Sequence, residues 1–541
     1  MIPQRLIFPL FLLVALVSYF PSIGSGFVFD FVGWQQRYEQ GTWSDILHCF
    51  GYPGNQQVLH LFFYSLYRLF HISGLPWYLV FCGIHAFNAW LTYTWLSKLS
   101  TAWKINIHPM LNAMACMLFL LHPYAVEPVV WKACIHYLLS LTAILGLLHL
   151  AVQYTESGAS KWLWFSLMIF AASLLLLELS YVTPVFLSLY LLICAKAGHR
   201  ESFNTKRAVT FTLLTWALLP LCLLLNKATL GSWVGHYGSD VHFRMDVIGM
   251  AATEFKYLVK HVFEARFLSY PAKTFLFDQV LSDKKVVIGL MILSLAVFSL
   301  YLFRLKKWPG YIHLGALGLL GAMIYILPVS NLFFYHFAMG MNDRFSYVPL
   351  LFTWIALLAC FSRLPKKISF PILFLVLGFQ VYWQQKILGY WHDSTLVLES
   401  LKKDYRWHDR SHVFVLNSPD NYKGIVMASA IKTNSGIDEL IDYQTDKPNP
   451  GIMYDVFQFN MTTPYDGVKV EQTGPMQLKV TFNQWGNWWH RADGGVTTYE
   501  NEYYKAEPLE YPYQITFRQL PPNSAIIYQD SMKWKEFHLN K

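Results

Sequence analysis

The sequence predicts an α-helical polytopic membrane protein that carries a β-rich domain at its C-terminal end. Of its 541 residues, 55% are hydrophobic and only 14% are charged, whereas roughly a quarter of the residues in a soluble protein are charged. Apolar runs of membrane-spanning length recur up to about residue 388. Beyond that point the chain becomes polar and rich in Tyr, Asn, Asp and Gly. We therefore divide it into a membrane domain, residues 1–388, and a polar tail.

About eleven segments have the length and apolar character of transmembrane helices. Roughly 20 apolar residues cross the hydrocarbon core of a bilayer, and runs down to about 15 are retained as short spans. The predicted helices lie near residues 6–22, 76–97, 109–122, 134–153, 162–178, 181–195, 209–226, 286–303, 312–329, 349–362 and 368–387.

The distribution of positive charge orients these helices. When the loops alternate between the two sides of the membrane, the loops on one side contain fourteen Lys and Arg residues and, of the acidic residues, only Glu156 and Glu201. The positive-inside rule identifies that side as cytoplasmic. The N-terminus is then cytoplasmic, and the external side receives residues 23–75, residues 227–285 and the tail. No basic patch is concentrated enough for nucleic-acid binding. The basic residues on the cytoplasmic side are Arg5, Lys98, Lys104, Lys161, Lys196, Arg200, Lys206, Arg207, Arg304, Lys306, Lys307, Arg363, Lys366 and Lys367.

Both long external loops contain segments with the pattern of amphipathic helices. In the first loop, residues 34–43 mix aromatic and polar character, and residues 58–70 alternate apolar and polar side chains. In the second, residues 245–267 place apolar side chains on one face and Lys256 and Lys260 elsewhere. Such helices lie in the plane of the membrane surface. Ordinary structured loops that cover the bundle are the alternative.

The polar tail is predicted to be a folded extracytoplasmic domain. Residues 389–409 are interpreted as a helical connector and residues 410–541 as a β-rich or α+β domain. Apolar residues alternate at period two between residues 468 and 482, as they do in half-buried strands. No cysteine lies beyond Cys360, so packing rather than disulfide bonds must stabilise this domain.

The tail also contains a dense aromatic cluster, Trp485, Trp488 and Trp489, which stands beside Asn and Gln residues. Aromatic rings can stack on the apolar face of a pyranose while amides bond its hydroxyls, so sugar binding is one interpretation. A tryptophan-bearing core or a membrane-surface contact is the alternative, and it is the one we favour.

Charged residues gather by topology at the external ends of the membrane helices. Asp30 follows the first span, where a carboxylate can act as a general base toward a hydroxyl. Arg344 lies on the same side and can hold a phosphate through charge-assisted hydrogen bonds. A helix-capping Asp30 and a local ion pair between Asp343 and Arg344 are the structural alternatives. Further candidates on this side are His122, Glu127, Lys132, His136 and Glu178.

Four short motifs occur in order along residues 1–400. They are Phe29-Asp30, then His122-Pro123 with Glu127, then Pro328 with Ser330-Asn331 and the run Asp343-Arg344-Phe345-Ser346-Tyr347-Val348-Pro349, and finally Tyr390-Trp391-His392-Asp393-Ser394. In this order they resemble the type-C glycosyltransferases, integral membrane enzymes that take a sugar from a polyprenyl-phosphate carrier. The pattern is most similar to the membrane part of the tetratricopeptide-repeat O-mannosyltransferases and their bacterial relatives.

The resemblance implies roles for several of these residues. Asp30 is expected to be the catalytic base, and Arg344, with Lys132 as a weaker candidate, is expected to bind the lipid-linked phosphate. Glu127 and His122 are expected to shape the acceptor site or a metal site. The remaining candidates around the acceptor are His136 and Asp343.

Two departures from the family pattern limit this transfer of roles. Relatives often carry paired acidic residues after the first span, whereas Phe31 follows Asp30 here. Because a divalent cation prefers several oxygen ligands, a metal cofactor is left unassigned. In addition, no tetratricopeptide repeats follow the last span. The acceptor therefore stays open among protein, lipid and polysaccharide.

The sequence thus predicts a multi-pass enzyme of a bacterial inner membrane. It is expected to move a sugar from a polyprenyl-phosphate donor to an acceptor hydroxyl on the periplasmic face, with inversion. An O-antigen-type polymerase or ligase is one alternative, and it would depend on His136 or Glu178 rather than Asp30. A transporter or flippase of lipid-linked saccharides is the other; it would place charge near the bilayer midplane and contain inverted repeats.

Overall fold

The protein consists of a helical unit and a unit that contains its β-strands. Unit 1 comprises residues 1–20, 41–130 and 134–386, and unit 2 comprises residues 21–40, 131–133 and 387–541. The prediction of a helical region followed by a β-rich C-terminal region is confirmed. The computed structural model describes residues 4–52, 54–197, 203–233, 246–263, 268–332, 342–428, 451–482, 488–489, 498–509 and 512–540.

The α-helices of the described residues are numbered here in chain order. They are α1 (Ile7–Ser18), α2 (Asp30–Gln40), α3 (Gln57–Phe70), α4 (Gly74–Ala102), α5 (Pro109–Leu120), α6 (Val126–Val130), α7 (Ile135–Ser157), α8 (Ser160–Leu174), α9 (Thr183–Ala197), α10 (Thr205–Leu230), α11 (Val247–Phe263), α12 (Tyr270–Lys273), α13 (Lys284–Phe303), α14 (Gly310–Ser330), α15 (Tyr347–Phe361) and α16 (Lys366–Asp404).

Fewer helices have membrane-spanning length and composition than the eleven predicted segments. Each predicted segment overlaps a helix, but seven helices in the described part of the chain are long and apolar enough to cross a membrane. An eighth span results if α5 and the bent segment after it count as one. The shortfall has physical causes. Helices α1 and α8 contain only 12 and 15 residues, and polar residues such as His85 and Asn88 reduce the hydropathy of α4.

Close packing of α14 against α15 forms part of the interior of unit 1. A Cβ atom at Gly318 would stand 2.7 Å from the carbonyl oxygen of Phe352, so only glycine lets the two backbones approach this closely. The Tyr325 and Phe352 rings stack beside it with their centroids 5.4 Å apart. Small residues and stacked rings therefore stabilise the helix pair that leads into the candidate site.

The segments predicted to form amphipathic helices in residues 23–75 and 227–285 are helical over most of their length. The 58–70 segment forms α3, and α2 covers most of the aromatic and polar stretch before it. Helix α11 extends over Val247–Phe263, while residues 264–267 lie outside the described residues. Its buried Tyr257 packs with Phe277 and Ile326 in one apolar cluster.

The predicted connector is part of a longer helix. Helix α16 continues without interruption through Lys366–Asp404, so the last predicted span and residues 390–404 form one element of 39 residues. Polar residues begin after Tyr382, but Leu, Glu and Lys make up six of the nine residues 396–404 that end the helix. These residues are good helix formers, so the change of polarity did not coincide with the end of the helix.

The described strands of unit 2 form three sheets. The strands are β1 (His412–Val415), β2 (Ser418–Tyr422), β3 (Ile425–Val426), β4 (Ile452–Asp455), β5 (Gln458–Met461), β6 (Val468–Gly474), β7 (Gln477–Phe482), β8 (Trp488–Trp489), β9 (Tyr499–Glu500), β10 (Tyr504–Pro508), β11 (Tyr513–Phe517), β12 (Ser524–Asp530) and β13 (Lys533–Phe537). The sheet orders are β13-β12-β1-β4, β6-β7-β11-β10-β9 and β3-β2-β5-β8. The alternation predicted between residues 468 and 482 is the antiparallel pair β6–β7.

Strand β1 lies at the centre of the first sheet, parallel to both β4 and β12. Val413, Phe414 and Val415 are each 0% exposed, as expected for a strand covered on both faces. Just past β1, the Asn417 side chain both donates to and accepts from the backbone of Gln529, each at 2.8 Å. This pair ties the two parallel strands together at their C-terminal ends.

Candidate functional site

A break between two apolar helices places the first part of the candidate site. Helix α5 and the segment that contains α6 are bent by 52° at this break. Pro123 has no N–H with which to continue the helix, and the backbone N–H of Tyr124 donates instead to Nδ1 of His122 at 3.1 Å. His122 therefore caps the turn, and the break carries Glu127 into the interior of unit 1, where it is buried.

Glu127 binds the residue that the sequence singled out for phosphate binding. Nη1 of Arg344 donates to Oε1 of Glu127 at 2.6 Å, and the backbone N–H of Arg344 donates to Oε2 at 3.0 Å. The side chain of Arg344 is 22% exposed and that of Glu127 is 10% exposed. Arg344 is thus held through both its guanidinium and its backbone N–H, yet its side chain still reaches solvent.

The preceding residue forms a second ion pair that is more deeply buried. Nζ of Lys260 lies 2.9 Å from Oδ1 of Asp343, and both side chains are 1% exposed. The same ammonium lies 4.6 Å from the ring centroid of Tyr124 and 5.3 Å from that of Tyr257, which adds cation–π attraction. We call Glu127, Lys260, Asp343 and Arg344 the ion-pair cluster; its formal charges sum to zero.

Lys260 is the member of the ion-pair cluster that the sequence analysis missed. The amphipathic pattern placed it away from the apolar face of α11, and the structure buries it against Asp343. The available signal was an aromatic residue followed one turn later by Lys260 and His261. Nδ1 of His261 lies 3.1 Å from Oγ1 of Thr353 in α15. Burial, and then the adjacent ammonium, hold the pKa of His261 well below its ordinary value, so the imidazole is neutral.

A buried hydrogen-bond network anchors the start of α15 beside the ion-pair cluster. Nε2 of His85 lies 3.0 Å from the carbonyl oxygen of Leu120, so this nitrogen carries the proton and donates it. Nδ1 can then accept from the hydroxyl of Tyr347 at 2.8 Å, and Nδ2 of Asn88 donates to the same hydroxyl at 3.3 Å. Because Tyr347 follows Arg344 by three residues, this network restrains the turn that carries the arginine.

In unit 2, Asp30 begins helix α2 at the end of a tight loop, residues 21–30, which we call the Asp30 loop. A carboxylate in the first turn interacts favourably with the positive end of the helix. Phe29 has a φ of 53°, a left-handed conformation that is strained for an aromatic residue. Nε1 of Trp131 donates to the carbonyl oxygen of Val28 at 3.1 Å, and the Phe29 and Trp131 rings lie 6.1 Å apart.

Lys132 belongs to the same unit as Asp30. Its backbone N–H donates to the carbonyl oxygen of Gly26 at 3.0 Å. Its side chain is buried, with Nζ 5.7 Å from the ring centroid of Phe27. The structure thus connects Lys132 with the Asp30 loop, and it gathers Glu127, Asp343 and Arg344 in unit 1.

The other predicted site residues lie outside these two groups. His136 is half-buried at the start of α7, with its ring 4.5 Å from that of Tyr137. Glu178 is half-buried in the short turn before α9. Trp485 lies outside the described residues. Trp488 and Trp489 form strand β8, which pairs with β5, and their side chains lie outside the description.

The chemistry available to the ion-pair cluster is the binding of an anion. Arg344 can exchange a carboxylate for a phosphate because both accept the same fork of guanidinium donors. Across the part of the chain that the structure describes, no group of three or more His, Cys, Asp or Glu residues is arranged to hold a metal ion. The Asp30 loop places a carboxylate at the start of α2.

Neither a protein-family model nor a curated protein matches the chain.

Proposed function

We propose that this protein is a polytopic membrane glycosyltransferase of type-C architecture that uses a polyprenyl-phosphate sugar as donor. The observation that carries the proposal is the ion-pair cluster, in which the partly exposed Arg344 follows the buried Asp343. Ionised groups inside an apolar helical unit are costly and are retained chiefly where function requires them. A guanidinium held in such a place is suited to a phosphate.

In the proposed reaction the Asp30 carboxylate removes the proton of an acceptor hydroxyl as its oxygen attacks the anomeric carbon. The bond from that carbon to the phosphate oxygen breaks, and polyprenyl phosphate leaves with the bonding electrons. Arg344 balances the charge that develops on the phosphate. One displacement inverts the anomeric configuration, as expected for a mechanism with a single base.

A donor of this kind accounts for the membrane domain. The polyprenyl chain partitions into the bilayer while its phosphate and sugar stay at the aqueous boundary. We propose that this boundary is the periplasmic face of a bacterial inner membrane, which receives the long loops and the tail. The acceptor is a hydroxyl of a protein, lipid or polysaccharide.

The test is sugar transfer by membranes that contain the protein, supplied with a panel of labelled polyprenyl-phosphate sugars. Asn at position 30 preserves size but cannot accept the proton, so Asp30→Asn is expected to reduce kcat about 10²–10⁴-fold. Binding of the donor is expected to change little. Glu39→Gln is the matched control, because Glu39 is an exposed carboxylate at the other end of the same helix.

Three outcomes oppose the proposal. Full activity of the Asp30→Asn variant excludes Asp30 as the base. Loss of activity in His136 or Glu178 variants with retention in Asp30→Asn favours a polymerase or ligase of the O-antigen type. Movement of the intact donor across the bilayer without transfer of the sugar favours a flippase.

A further inference from the structure

Helix α11 contributes a charged residue to the ion-pair cluster from a loop that lies outside all four sequence motifs. Lys260 reaches Asp343 at 2.9 Å, and neither side chain has meaningful contact with solvent. The aromatic rings of Tyr124 and Tyr257 lie against the same ammonium. Its position is therefore determined by three different segments of unit 1.

The charge of Asp343 bears directly on its neighbour. Asp343 and Arg344 are consecutive, and in a buried environment an unneutralised carboxylate at position 343 would compete for the arginine. It would also repel a phosphate that approaches the guanidinium. Glu127 already balances Arg344 in the resting structure, so a second carboxylate needs a cation of its own.

We propose that Lys260 is a positioning residue of the donor-phosphate site, and that it acts by neutralising Asp343 so that Arg344 remains able to bind phosphate. The inference rests on the proposed function, because the phosphate is that of the lipid-linked donor. It differs from direct ligation, since the ammonium is 1% exposed and is already paired with Asp343 inside an aromatic enclosure.

The experiment measures binding of a polyprenyl monophosphate, which carries no sugar, to the purified full-length protein in detergent. Lys260→Met keeps the length of the side chain and removes its charge, and it is expected to weaken binding about tenfold. The double variant Lys260→Met/Asp343→Asn removes the uncompensated carboxylate and is expected to restore binding to within about threefold of the wild type.

The control is Lys256→Met. Lys256 lies one turn earlier on α11 and is also buried, and burial lowers the pKa of its ammonium. It makes no ion pair with Asp343, so binding in Lys256→Met is expected to stay within about twofold of the wild type. Thermal unfolding of each variant gives the temperature range in which it is folded, and binding is compared at a temperature where all variants are folded.

The outcomes separate this inference from the function on which it rests. If the wild type binds polyprenyl monophosphate and Lys260→Met binds it equally well, Lys260 is purely structural and the inference is wrong. If the double variant stays as weak as Lys260→Met, the lysine is a direct phosphate ligand, which also overturns it. A wild type that fails to bind polyprenyl monophosphate at all refutes the proposed donor itself.

Discussion

At the scale of single residues, helix α11 shows two ways in which buried ionisable groups avoid an isolated charge, namely pairing with an opposite charge and remaining neutral. Lys260 and Asp343 neutralise each other, and His261 remains neutral beside them. Glu254, two turns earlier on α11, is a further buried acid. Burial alone raises its pKa well above the ordinary value of 4.5, so between these two values the folded protein retains a proton that the unfolded chain releases.

Glu254 therefore makes stability dependent on pH. Above about pH 4.5 the folded state retains a proton that the unfolded state releases, so the free energy of unfolding falls as pH rises toward the raised pKa. The slope reaches at most about 1.4 kcal/mol per pH unit. We expect Glu254→Gln to abolish this part of the decline, as measured by thermal unfolding in detergent between pH 5 and 8. The exposed Glu399 provides the control variant Glu399→Gln; equal pH profiles for wild type and Glu254→Gln would contradict the assignment.

Sequence patterns identified some site residues and missed another for a physical reason. The carboxylate and guanidinium of Glu127 and Arg344 stood out because charge is scarce in apolar segments. Lys260 did not, because a lysine on an amphipathic helix looks the same whether water or a distant carboxylate solvates it. Only the fold brings Asp343, 83 positions later in the chain, to within 2.9 Å of it.

At the scale of elements, periodicity predicted where helices lie better than where they end. Hydropathy located a helix in every predicted span, but the continuation of α16 to Asp404 depends on helix propensity, which a change in polarity does not reveal. The stability of short helices such as α1 depends on packing against neighbouring helices rather than on their own length. Contacts between helices, and not composition alone, therefore decide the architecture of unit 1.

The pair α14–α15 is the clearest case of such a contact, and the addition of one methyl group at Gly318 tests it. Gly318→Ala would drive a methyl group into the backbone of α15, and overpacking of this kind costs about 1–3 kcal/mol. Gly315→Ala, almost one turn earlier, meets Ala359 at an ordinary 3.5 Å and is expected to be neutral. Thermal unfolding in detergent compares the two variants. Equal stability would show that the helices separate without cost.

Because Arg344 lies just before α15, the same substitution has a consequence for the site. A shift of this helix moves the turn that Tyr347 and His85 restrain. We therefore expect Gly318→Ala to weaken binding of polyprenyl monophosphate together with its loss of stability, while Gly315→Ala retains both. Weakened binding without a loss of stability would point to a different coupling.

At the scale of the whole molecule, the positive-inside distribution predicts which side of the membrane the polar tail and the basic turns face. Cysteine labelling can test it because Cys360 is the exposed cysteine and the other six are buried. In a Cys360→Ser background, a membrane-impermeant thiol reagent applied to spheroplasts is expected to label Lys469→Cys, whose native side chain is 68% exposed on β6. Lys307→Cys, in the exposed basic turn after α13, is expected to react only after the membrane is permeabilised. The reverse pattern would put the tail in the cytoplasm, on the side opposite to the one that a periplasmic transferase requires.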